Sequence, residues 1–306
     1  MAEDPGPEAI LRCGFVALVG APNAGKSTLL NSLVGAKVSI VTHKVQTTRS
    51  RIRAIAVAGA SQIVFVDTPG IFVPKRRLER AMVAAAWTGA KDADEVVLLT
   101  DASRRGIDPD TRLIVDGLKA RGRRAILALN KIDLVPRPAL LELAARFEAE
   151  GVFSRVFMVS ATTGDGVADL RRHLAEALPE GPWLYPADQL SDLPERLLAA
   201  EITREKLFLN LHQELPYALT VETEDWKDLK DGSARIEQVI TVGRDSHKGI
   251  CLGKGGRTIK LVREAAQRDL EEFLGRKVHL FLFVKVRENW LEDPARYRAM
   301  NLEFDV

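Results

Sequence analysis

Eight residues, Gly20–Ser27, fit the phosphate-binding pattern Gly-x-x-x-x-Gly-Lys-Ser. An apolar run precedes them and a helical pattern follows, which is the strand, loop and helix order that such a loop requires. Backbone N–H groups and the positive end of the helix favour phosphate there. Lys26 is expected to reach the terminal phosphates, and the Ser27 hydroxyl to bind Mg²⁺. The predicted nucleotide-binding loop comprises Gly20, Ala21, Pro22, Asn23, Ala24, Gly25, Lys26, Ser27 and Thr28.

A second motif, Asn130-Lys131-Ile132-Asp133, predicts that the bound base is guanine. The Asp133 carboxylate can accept two hydrogen bonds from the N1–H and N2 edge of guanine, whereas adenine would leave this acidic group unpaired. Lys131 can cover the base, and Asn130 can brace the loop. Further along, a backbone N–H at Ser160-Ala161 can meet guanine O6.

A third motif, Asp67-Thr68-Pro69-Gly70, also ends an apolar segment. Asp67 is suited to hold Mg²⁺, usually through water, and the N–H of Gly70 is suited to the γ-phosphate. A plain turn is the alternative, because proline and glycine are common turn residues. The position of the motif between the other two favours the nucleotide site.

These motifs lie at the predicted carboxyl ends of strands in an alternating β/α pattern, the edge at which open α/β sheets bind ligands. Strands are predicted near 14–19, 53–57, 62–66, 95–101, 124–129 and 155–159, and helices near 26–34, 78–91, 108–121, 137–150 and 166–178. We therefore expect an N-terminal tail over 1–11, followed by an α/β domain over 12–179 with a mostly parallel sheet.

The pattern changes after Leu178, where a segment rich in proline and glycine predicts a linker over 180–193. An α+β domain is expected over 194–306, with helices near 194–213 and 258–274 and strands near 217–224, 234–242 and 278–286. Gly253-Lys254-Gly255-Gly256 breaks a helix pair in this domain. Gly-x-x-Gly between two helices is the signature of a KH RNA-binding module, with a helix-ending turn as the alternative.

Charge is concentrated around this glycine loop. Residues 181–306 carry 19 Lys and Arg against 22 Asp and Glu, a net charge of −3, yet residues 244–263 carry six basic residues and one acidic residue. A local basic patch in an acidic domain predicts a site for a phosphate backbone, and a solvated charged face is the alternative. The predicted RNA-binding residues are Arg244, Lys248, Ile250, Gly253, Lys254, Gly255, Gly256, Arg257, Lys260 and Arg263.

Composition limits the class of protein. The chain has 306 residues, a formal net charge of +2 and 46% hydrophobic residues, which is typical of about two globular domains. No apolar stretch approaches the ~20 residues of a membrane-spanning helix. Two cysteines are too few for a disulfide framework and indicate a reducing cytosol. We expect a cytoplasmic monomer.

The ordered set Gly20–Ser27, Gln46–Arg49, Asp67–Gly70, Asn130–Asp133 and Ser160-Ala161 resembles the motifs of translation-factor-class P-loop GTPases. With the C-terminal half, about residues 12–304 resemble the Era family of bacterial GTPases, which act in small-subunit ribosome assembly. The resemblance implies hydrolysis of GTP to GDP and phosphate, a type II KH domain, and binding of the single-stranded 3′ end of small-subunit ribosomal RNA. It also implies a role in maturation of the 30S subunit.

The same resemblance implies a switch I segment around Val38–Arg53 that supplies a threonine to Mg²⁺ in the GTP state. Thr47 and Thr48 are both candidates, and Thr48 is favoured. The expected metal residues are then Ser27, Thr48 and Asp67, and the expected catalytic residues are Lys26, Asn23 and Thr48.

Two positions of the nucleotide site bear on the rate of hydrolysis. Ile71 stands where signalling GTPases often place a glutamine that orients water, so intrinsic hydrolysis is expected to be slow. In related GTPases an asparagine at the position of Asn23 helps to bind K⁺, which contributes positive charge beside the phosphates. The alternative for Asn23 is a role in shaping the loop.

Other functions are compatible with parts of this pattern. One is a GTP-regulated RNA chaperone whose nucleotide site is only structural. Another is a membrane-associated signalling GTPase with peripheral contact to the inner membrane. A tRNA-modifying GTPase is less favoured, because the chain lacks an inserted helical domain and a terminal cysteine motif.

Overall fold

The computed structural model describes residues 10–104, 106–211 and 215–306. Contacts divide the chain into two compact units. The first unit holds the described residues up to Ser39, Thr48–Asp192 and Tyr297–Val306, and the second holds Ile40–Thr47 and Leu193–Arg296. These units group residues 40–47 and 297–306 differently from the predicted domains. Most of the predicted tail and the predicted helix end at Gln213 lie outside the described residues.

The first unit is built on a six-stranded sheet. Its strands are β1 (Arg12–Gly20), β2 (Ile52–Ala58), β3 (Ser61–Asp67), β4 (Glu95–Asp101), β5 (Ala125–Asn130) and β6 (Phe153–Val159). They lie in the order β2-β3-β1-β4-β5-β6. Strand β2 is antiparallel to β3, and all the other neighbouring pairs are parallel. The carboxyl ends of β1, β3, β4, β5 and β6 therefore share one edge of the sheet.

Helices cover both faces of this sheet. They are α1 (Lys26–Val34), α2 (Arg77–Asp92), α3 (Pro109–Ala120), α4 (Arg137–Glu148) and α5 (Val167–Ala177). Successive residues of a strand point to opposite faces, so Leu18 belongs to the core formed with α1 and α5, and Val19 to the core formed with α2, α3 and α4. Burial on both faces explains why these strands are continuous apolar runs in the sequence.

The first part of the predicted linker packs on the turn between β2 and β3 and on the start of β3. Trp183 donates its indole N–H to the carbonyl of Ala60 at 3.1 Å. The buried side chain of Gln62 accepts hydrogen bonds from the N–H groups of Leu184 and Tyr185 and donates to the Tyr185 carbonyl. These bonds satisfy Gln62, which would otherwise be an unpaired polar group in the interior.

The second unit has a three-stranded sheet and helices packed against it. Its elements are α6 (Glu195–Asn210), β7 (Leu219–Asp228), β8 (Ala234–Val242), α7 (Asp245–Leu252), α8 (Arg257–Leu274) and β9 (Val278–Val286), and α9 (Pro294–Ala299) follows. Strand β8 lies between β7, which is antiparallel to it, and β9, which is parallel. Helix α8 buries Val262, Ala266 and Leu270, which recur every four residues along one face.

The predicted fold class is confirmed: an α/β domain with a mostly parallel sheet precedes an α+β domain. The predicted strands and helices of both halves occur within a few residues of their expected positions. Among the described residues, no helix is long and apolar enough to span a bilayer.

Candidate functional site

The loop between β1 and α1 is confined by its neighbours. A Cβ atom on Gly20 would lie 2.4 Å from the carbonyl oxygen of Leu99. Gly25 has a φ of 97°, and a Cβ atom there would lie 2.3 Å from the side-chain nitrogen of Asn130. Both positions therefore require glycine, one for space alone and the other for space and backbone conformation.

Lys26 lies within this loop, at the first position of α1. Its ammonium group donates to the carbonyls of Gly20 and Ala21, each at 3.1 Å. Burial lowers the pKa of Lys26 to about 8, and the negative charge of Asp67 opposes this shift. The ammonium group is thus placed at the loop in which phosphate would bind, in an environment that penalises its charge until an anion arrives.

Asp67 ends β3 and is fully buried. Its Oδ2 accepts hydrogen bonds from the hydroxyls of Ser27 at 2.9 Å and Ser39 at 2.9 Å, with the Thr48 hydroxyl at 3.5 Å. Burial raises the pKa of Asp67, and Lys26 and the three hydroxyls act in the opposite direction. Its Oδ1 is buried without a hydrogen-bond partner in the described parts of the chain.

This arrangement fits Mg²⁺. The ion prefers oxygen ligands and is commonly bound through one or two carboxylates together with substrate phosphates. Ser27 and Thr48 place hydroxyl oxygens 3.0 Å apart beside the carboxylate, and the unpartnered Oδ1 of Asp67 remains available. Within the described residues no group of three or more His, Cys, Asp or Glu could hold a metal alone, so such an ion would also need the phosphates.

The two threonines that were candidates for a metal ligand, Thr47 and Thr48, occupy different environments. The Thr48 hydroxyl lies beside Ser27 and Asp67, and Thr48 is buried. The Thr47 hydroxyl instead bonds the Thr42 hydroxyl at 2.6 Å and the Lys44 carbonyl at 2.7 Å. The geometry therefore favours Thr48 as the residue that could reach the ion.

Asn130, at the end of β5, joins two loops of the site. Its amide nitrogen donates to the carbonyl of Ala24 at 2.8 Å, and its amide oxygen accepts from the N–H of Ala161 at 3.0 Å. The Asn130 side chain is buried, and these bonds satisfy it. The phosphate loop and the Ser160-Ala161 loop are thus held together by one side chain.

The residues expected to contact the base follow Asn130. Lys131 has a φ of 65° and forms an ion pair with Asp101 at 2.6 Å. Burial alone would raise the pKa of Asp101, but hydrogen bonds from Lys131 and Ser103 hold it below its usual range. Asp133 is exposed in a short 3-10 helix, Ile132–Leu134, where its carboxylate is accessible to a base.

Gly70 and Ile71 lie against the phosphate loop. A Cβ atom on Gly70 would approach Pro22 to 3.0 Å. The N–H of Ile71 donates to the Gly20 carbonyl at 3.1 Å, and the Ile71 side chain is fully buried in the core beneath the loop. Ile71 therefore lacks both the chemistry and the exposure needed to orient an attacking water.

Ser39 and Asp101 are the site residues that sequence reasoning missed. Ser39 is an isolated serine in an irregular segment, and Asp101 is the final residue of an apolar strand. Neither belongs to a contiguous motif, and each is recognised only through its contact with Asp67 or Lys131. A polar residue at the carboxyl end of β4 was the one available signal for Asp101.

In the second unit, the Gly-x-x-Gly loop joins α7 to α8. Gly253, Gly255 and Gly256 all have positive φ, at 71°, 63° and 74°. A Cβ atom on Gly253 would lie 2.2 Å from the Thr258 hydroxyl, whereas one on Gly256 would meet nothing within 4 Å. Gly256 caps the N-terminus of α8, so the loop leaves an open approach to the positive end of an 18-residue helix.

The predicted basic residues lie on α7, on this loop and on the first turns of α8. Arg244, Lys254, Arg257 and Lys260 are exposed, and Lys248 and Arg263 are half-buried. Arg244 donates to the ring of His247 at 2.7 Å, and burial, together with the nearby positive charge of Arg244, lowers the pKa of His247. Ile250, the apolar member of the predicted RNA-binding residues, is exposed, whereas its neighbours Leu252 and Ile259 pack on the core.

Comparison with known proteins identifies the family. A family model described as "50S ribosome-binding GTPase" matches residues 15–131, and a KH domain model matches residues 214–291. A GTPase Era from Rhizobium meliloti (strain 1021) is 64% identical over 293 residues, covering 96% of this chain and 93% of the relative. The chain belongs to the Era family of GTPases.

Other Era proteins agree with this assignment. The GTPase Era of Dinoroseobacter shibae is 61% identical over 307 residues, covering 99% of this chain and 98% of the relative. A solved structure of Era in complex with MgGDPNP and nucleotides 1506–1542 of 16S ribosomal RNA has a TM-score of 0.89 and 36% identity, covering 95% of this chain and 98% of that chain. The predicted GTPase activity, the KH domain and the family are thereby confirmed.

The low pKa of Lys26 predicts a pH dependence for nucleotide binding by this Era family member. With a pKa of about 8, Lys26 is about half deprotonated near pH 8 in the free protein, and bound phosphate raises its pKa because opposite charges favour the charged form. Binding must then take up a proton above pH 8. We expect GDP affinity to fall by up to about tenfold per pH unit between pH 8 and the higher pKa of the bound state.

Calorimetry at pH 8.5 in two buffers with different ionisation enthalpies measures this proton uptake. Lys26→Arg is the matched variant, because arginine stays protonated in this range and its binding should take up no proton. Identical apparent enthalpies for the unaltered protein in both buffers would contradict the assignment.

Proposed function

We propose that this GTPase is a switch that binds single-stranded RNA near the 3′ end of 16S ribosomal RNA and assists maturation of the 30S subunit in the cytoplasm. The observation that carries the proposal is the pairing of a guanine-nucleotide loop with a basic Gly-x-x-Gly loop in one chain. A related Era with 36% identity has been solved with MgGDPNP and nucleotides 1506–1542 of 16S ribosomal RNA.

In the proposed GTPase site, Lys26 and the loop N–H groups stabilise negative charge on the phosphates. Ser27, Thr48 and Asp67 would hold Mg²⁺, which supplies positive charge to the phosphate oxygens when it is bound. Asp133 would read the guanine edge, and Asn130 keeps that loop against the phosphate loop. The buried Ile71 stands at the position where signalling GTPases often place a glutamine that orients water, which supports slow intrinsic hydrolysis.

The choice of ribosomal subunit rests on the C-terminal half. The family model over residues 15–131 is described by a 50S-binding function, but it does not reach the KH domain. The relative solved with 16S RNA matches this chain over both halves. We therefore propose the small subunit, and preferential association with 50S subunits in a sedimentation experiment would contradict this choice.

Charge reversal at the Gly-x-x-Gly loop should weaken RNA binding. In the Lys254→Glu, Arg257→Glu double variant, each lost phosphate contact to a charged donor should cost about 1.5 kcal/mol, so affinity should fall by about 100-fold. The plot of log affinity against log salt concentration has a negative slope, and this slope should become less negative by about 0.7 for each lost contact. Fluorescence anisotropy with a single-stranded RNA from the 3′ end of 16S RNA measures both quantities.

Lys230→Glu is a suitable control for this experiment. Lys230 is an exposed residue between β7 and β8, in the same unit but outside the basic patch. Its reversal should change RNA affinity by less than about threefold, because distant exposed charges are largely screened by salt. Equal losses in Lys230→Glu and the loop variant would indicate nonspecific attraction and would contradict a located RNA site.

The segment between Ser39 and Thr48 suggests how the nucleotide could influence RNA binding. Residues Ile40–Thr47 group with the second unit and contact α6. Lys44 donates to the carbonyls of Phe208 and Leu211 at the end of that helix, and burial lowers the pKa of Lys44. Further bonds join the N–H of Val41 to Glu205 and the guanidinium of Arg204 to the carbonyl of Thr47.

These contacts support coupling between the nucleotide and the RNA-binding half. Thr48 lies beside the proposed Mg²⁺ site, and the preceding residue, Thr47, is bonded to α6. A change at the γ-phosphate that moves Thr48 would then pull on the neighbouring segment that α6 holds. We propose that RNA affinity differs between the GDP and GTP states for this reason.

The Lys44→Met variant tests the coupling. In the unaltered protein, RNA affinities with GDP and with GDPNP should differ by at least about fivefold, the lower end of common coupling energies. In Lys44→Met the ratio should approach one, while GDPNP affinity stays within about twofold. Anisotropy titrations with each nucleotide give the ratio.

His43→Ala is the control for Lys44→Met, because His43 is an exposed neighbour in the same segment. The His43→Ala variant should show the same ratio of RNA affinities with GDP and with GDPNP as the unaltered protein. Equal RNA affinity in both nucleotide states of the unaltered protein would remove the coupling altogether. An unchanged ratio in Lys44→Met would show that coupling does not use the contacts with α6.

We also propose that Asn23 contributes to a K⁺ site beside the phosphates. Asn23 is exposed at the tip of the loop and has a φ of 64°, so its amide oxygen is accessible to a cation near the nucleotide. Single-turnover GTP hydrolysis should be at least about tenfold faster in K⁺ than in Na⁺, since one stabilising charge or donor at a transition state is commonly worth more than that. Asn23→Ala should abolish the difference, and equal rates in both salts would exclude K⁺.

A further inference from the structure

A side chain of α1 fixes the start of switch I. The amide oxygen of Asn31 accepts hydrogen bonds from the N–H groups of Val38 and Ser39, both at 3.0 Å, and its amide nitrogen donates to the Ser39 carbonyl at 2.8 Å. Asparagine is a weak helix former because its side chain competes for backbone groups. In this protein the Asn31 side chain bonds backbone groups outside its own helix, those of Val38 and Ser39.

This backbone anchor directs the Ser39 hydroxyl to the metal-site carboxylate. Ser39 is 1% exposed, and its hydroxyl lies 2.9 Å from Oδ2 of Asp67. Ser39 groups with the first unit, whereas the next eight residues group with the second. Its backbone N–H and carbonyl are both bonded to Asn31, so α1 holds Ser39 directly.

Two hydroxyls bonded to one oxygen restrict the rotation of the Asp67 carboxylate. Ser27 and Ser39 both donate to Oδ2 at 2.9 Å, which leaves Oδ1 as the oxygen without a partner among the described residues. Ser27 is also an expected ligand of the ion and would have to share its oxygen with it. Ser39 is then the donor dedicated to Asp67. A buried carboxylate also needs such donors in order to remain ionised.

We propose that Asn31 and Ser39 are positioning residues for Mg²⁺ binding: Asn31 fixes Ser39, and the Ser39 hydroxyl orients the Asp67 carboxylate toward the ion or its bound water. The inference rests on the Mg²⁺ site proposed above. Partners that orient a metal ligand commonly change metal affinity by about 10- to 100-fold when they are removed. The effect should therefore appear in Mg²⁺ affinity and not in the contacts to guanine.

The experiment follows release of a fluorescent GDP analogue as a function of free Mg²⁺. Ser39→Thr and Ser39→Val form a matched pair, because both add a methyl group at this buried position and only threonine keeps a hydroxyl. Ser39→Val and Ser39→Ala should raise the Mg²⁺ concentration for half-maximal retention by about tenfold or more. Ser39→Thr should stay near the unaltered protein. Release in EDTA should be the same within about twofold in all of them.

Asn31→Ala tests the first step of the relay. It should raise the Mg²⁺ requirement, and the Asn31→Ala, Ser39→Ala double variant should be no worse than Ser39→Ala alone, because residues that act through one contact are not additive. Additive effects would contradict a relay from Asn31 through Ser39.

Other outcomes separate this inference from the proposed metal site. GDP retention that is independent of Mg²⁺ in the unaltered protein would reject the metal site itself. A Mg²⁺ dependence that is the same in Ser39→Val as in Ser39→Thr would reject only the role of the Ser39 hydroxyl. Faster release in EDTA by Ser39→Val than by Ser39→Thr would show a general loss of loop structure and would also contradict the proposal.

Discussion

The burial of the Asp67 carboxylate is the constraint on which the nucleotide site depends. A buried carboxylate is stable as an anion only when donors or cations surround it. Three hydroxyls meet this need, from the start of α1 and from both ends of the segment between α1 and β2. The carboxylate that would attract a metal ion therefore also holds in place the segment between α1 and β2, which has no regular secondary structure.

The parallel sheet places the remaining parts of the site around this charge. Gly20, Asp67, Asn130 and Ser160 lie at or just beyond the carboxyl ends of β1, β3, β5 and β6. Strand order brings β3 and β1 together, while β5 lies two strands away from β1. The Asn130 side chain spans part of that distance by bonding Ala24. The loop expected to recognise the base and the loop expected to bind phosphate are thus connected through the buried amide of Asn130.

The sequence was most informative where the chemistry is contiguous. The sequence predicted two loops from their motifs, Gly20–Ser27 and Asn130–Asp133. In each of them the residues that act together are close in the chain, so the motif can be read directly from the sequence. The partnership of Ser39 with Asp67 joins residues 28 positions apart, and that of Lys131 with Asp101 joins residues 30 positions apart. Such pairs depend on strand order and on the path of irregular segments. The grouping of Ile40–Thr47 with the second unit likewise arises from tertiary contacts, which local pattern does not encode.

The two glycine loops that are expected to bind phosphate differ in the space around them. Gly20 and Gly25 are required because neighbouring atoms leave no space for a side chain, which suits a compact ligand enclosed by the loop. Gly256 has open space around it, and the need there is for positive φ and an unobstructed helix end. A polymer must enter and leave along its length, so an open loop is compatible with an RNA backbone. The first loop can therefore hold its ligand by enclosure, whereas the second would depend on surrounding charge, which agrees with the six basic residues and one acidic residue between Arg244 and Arg263.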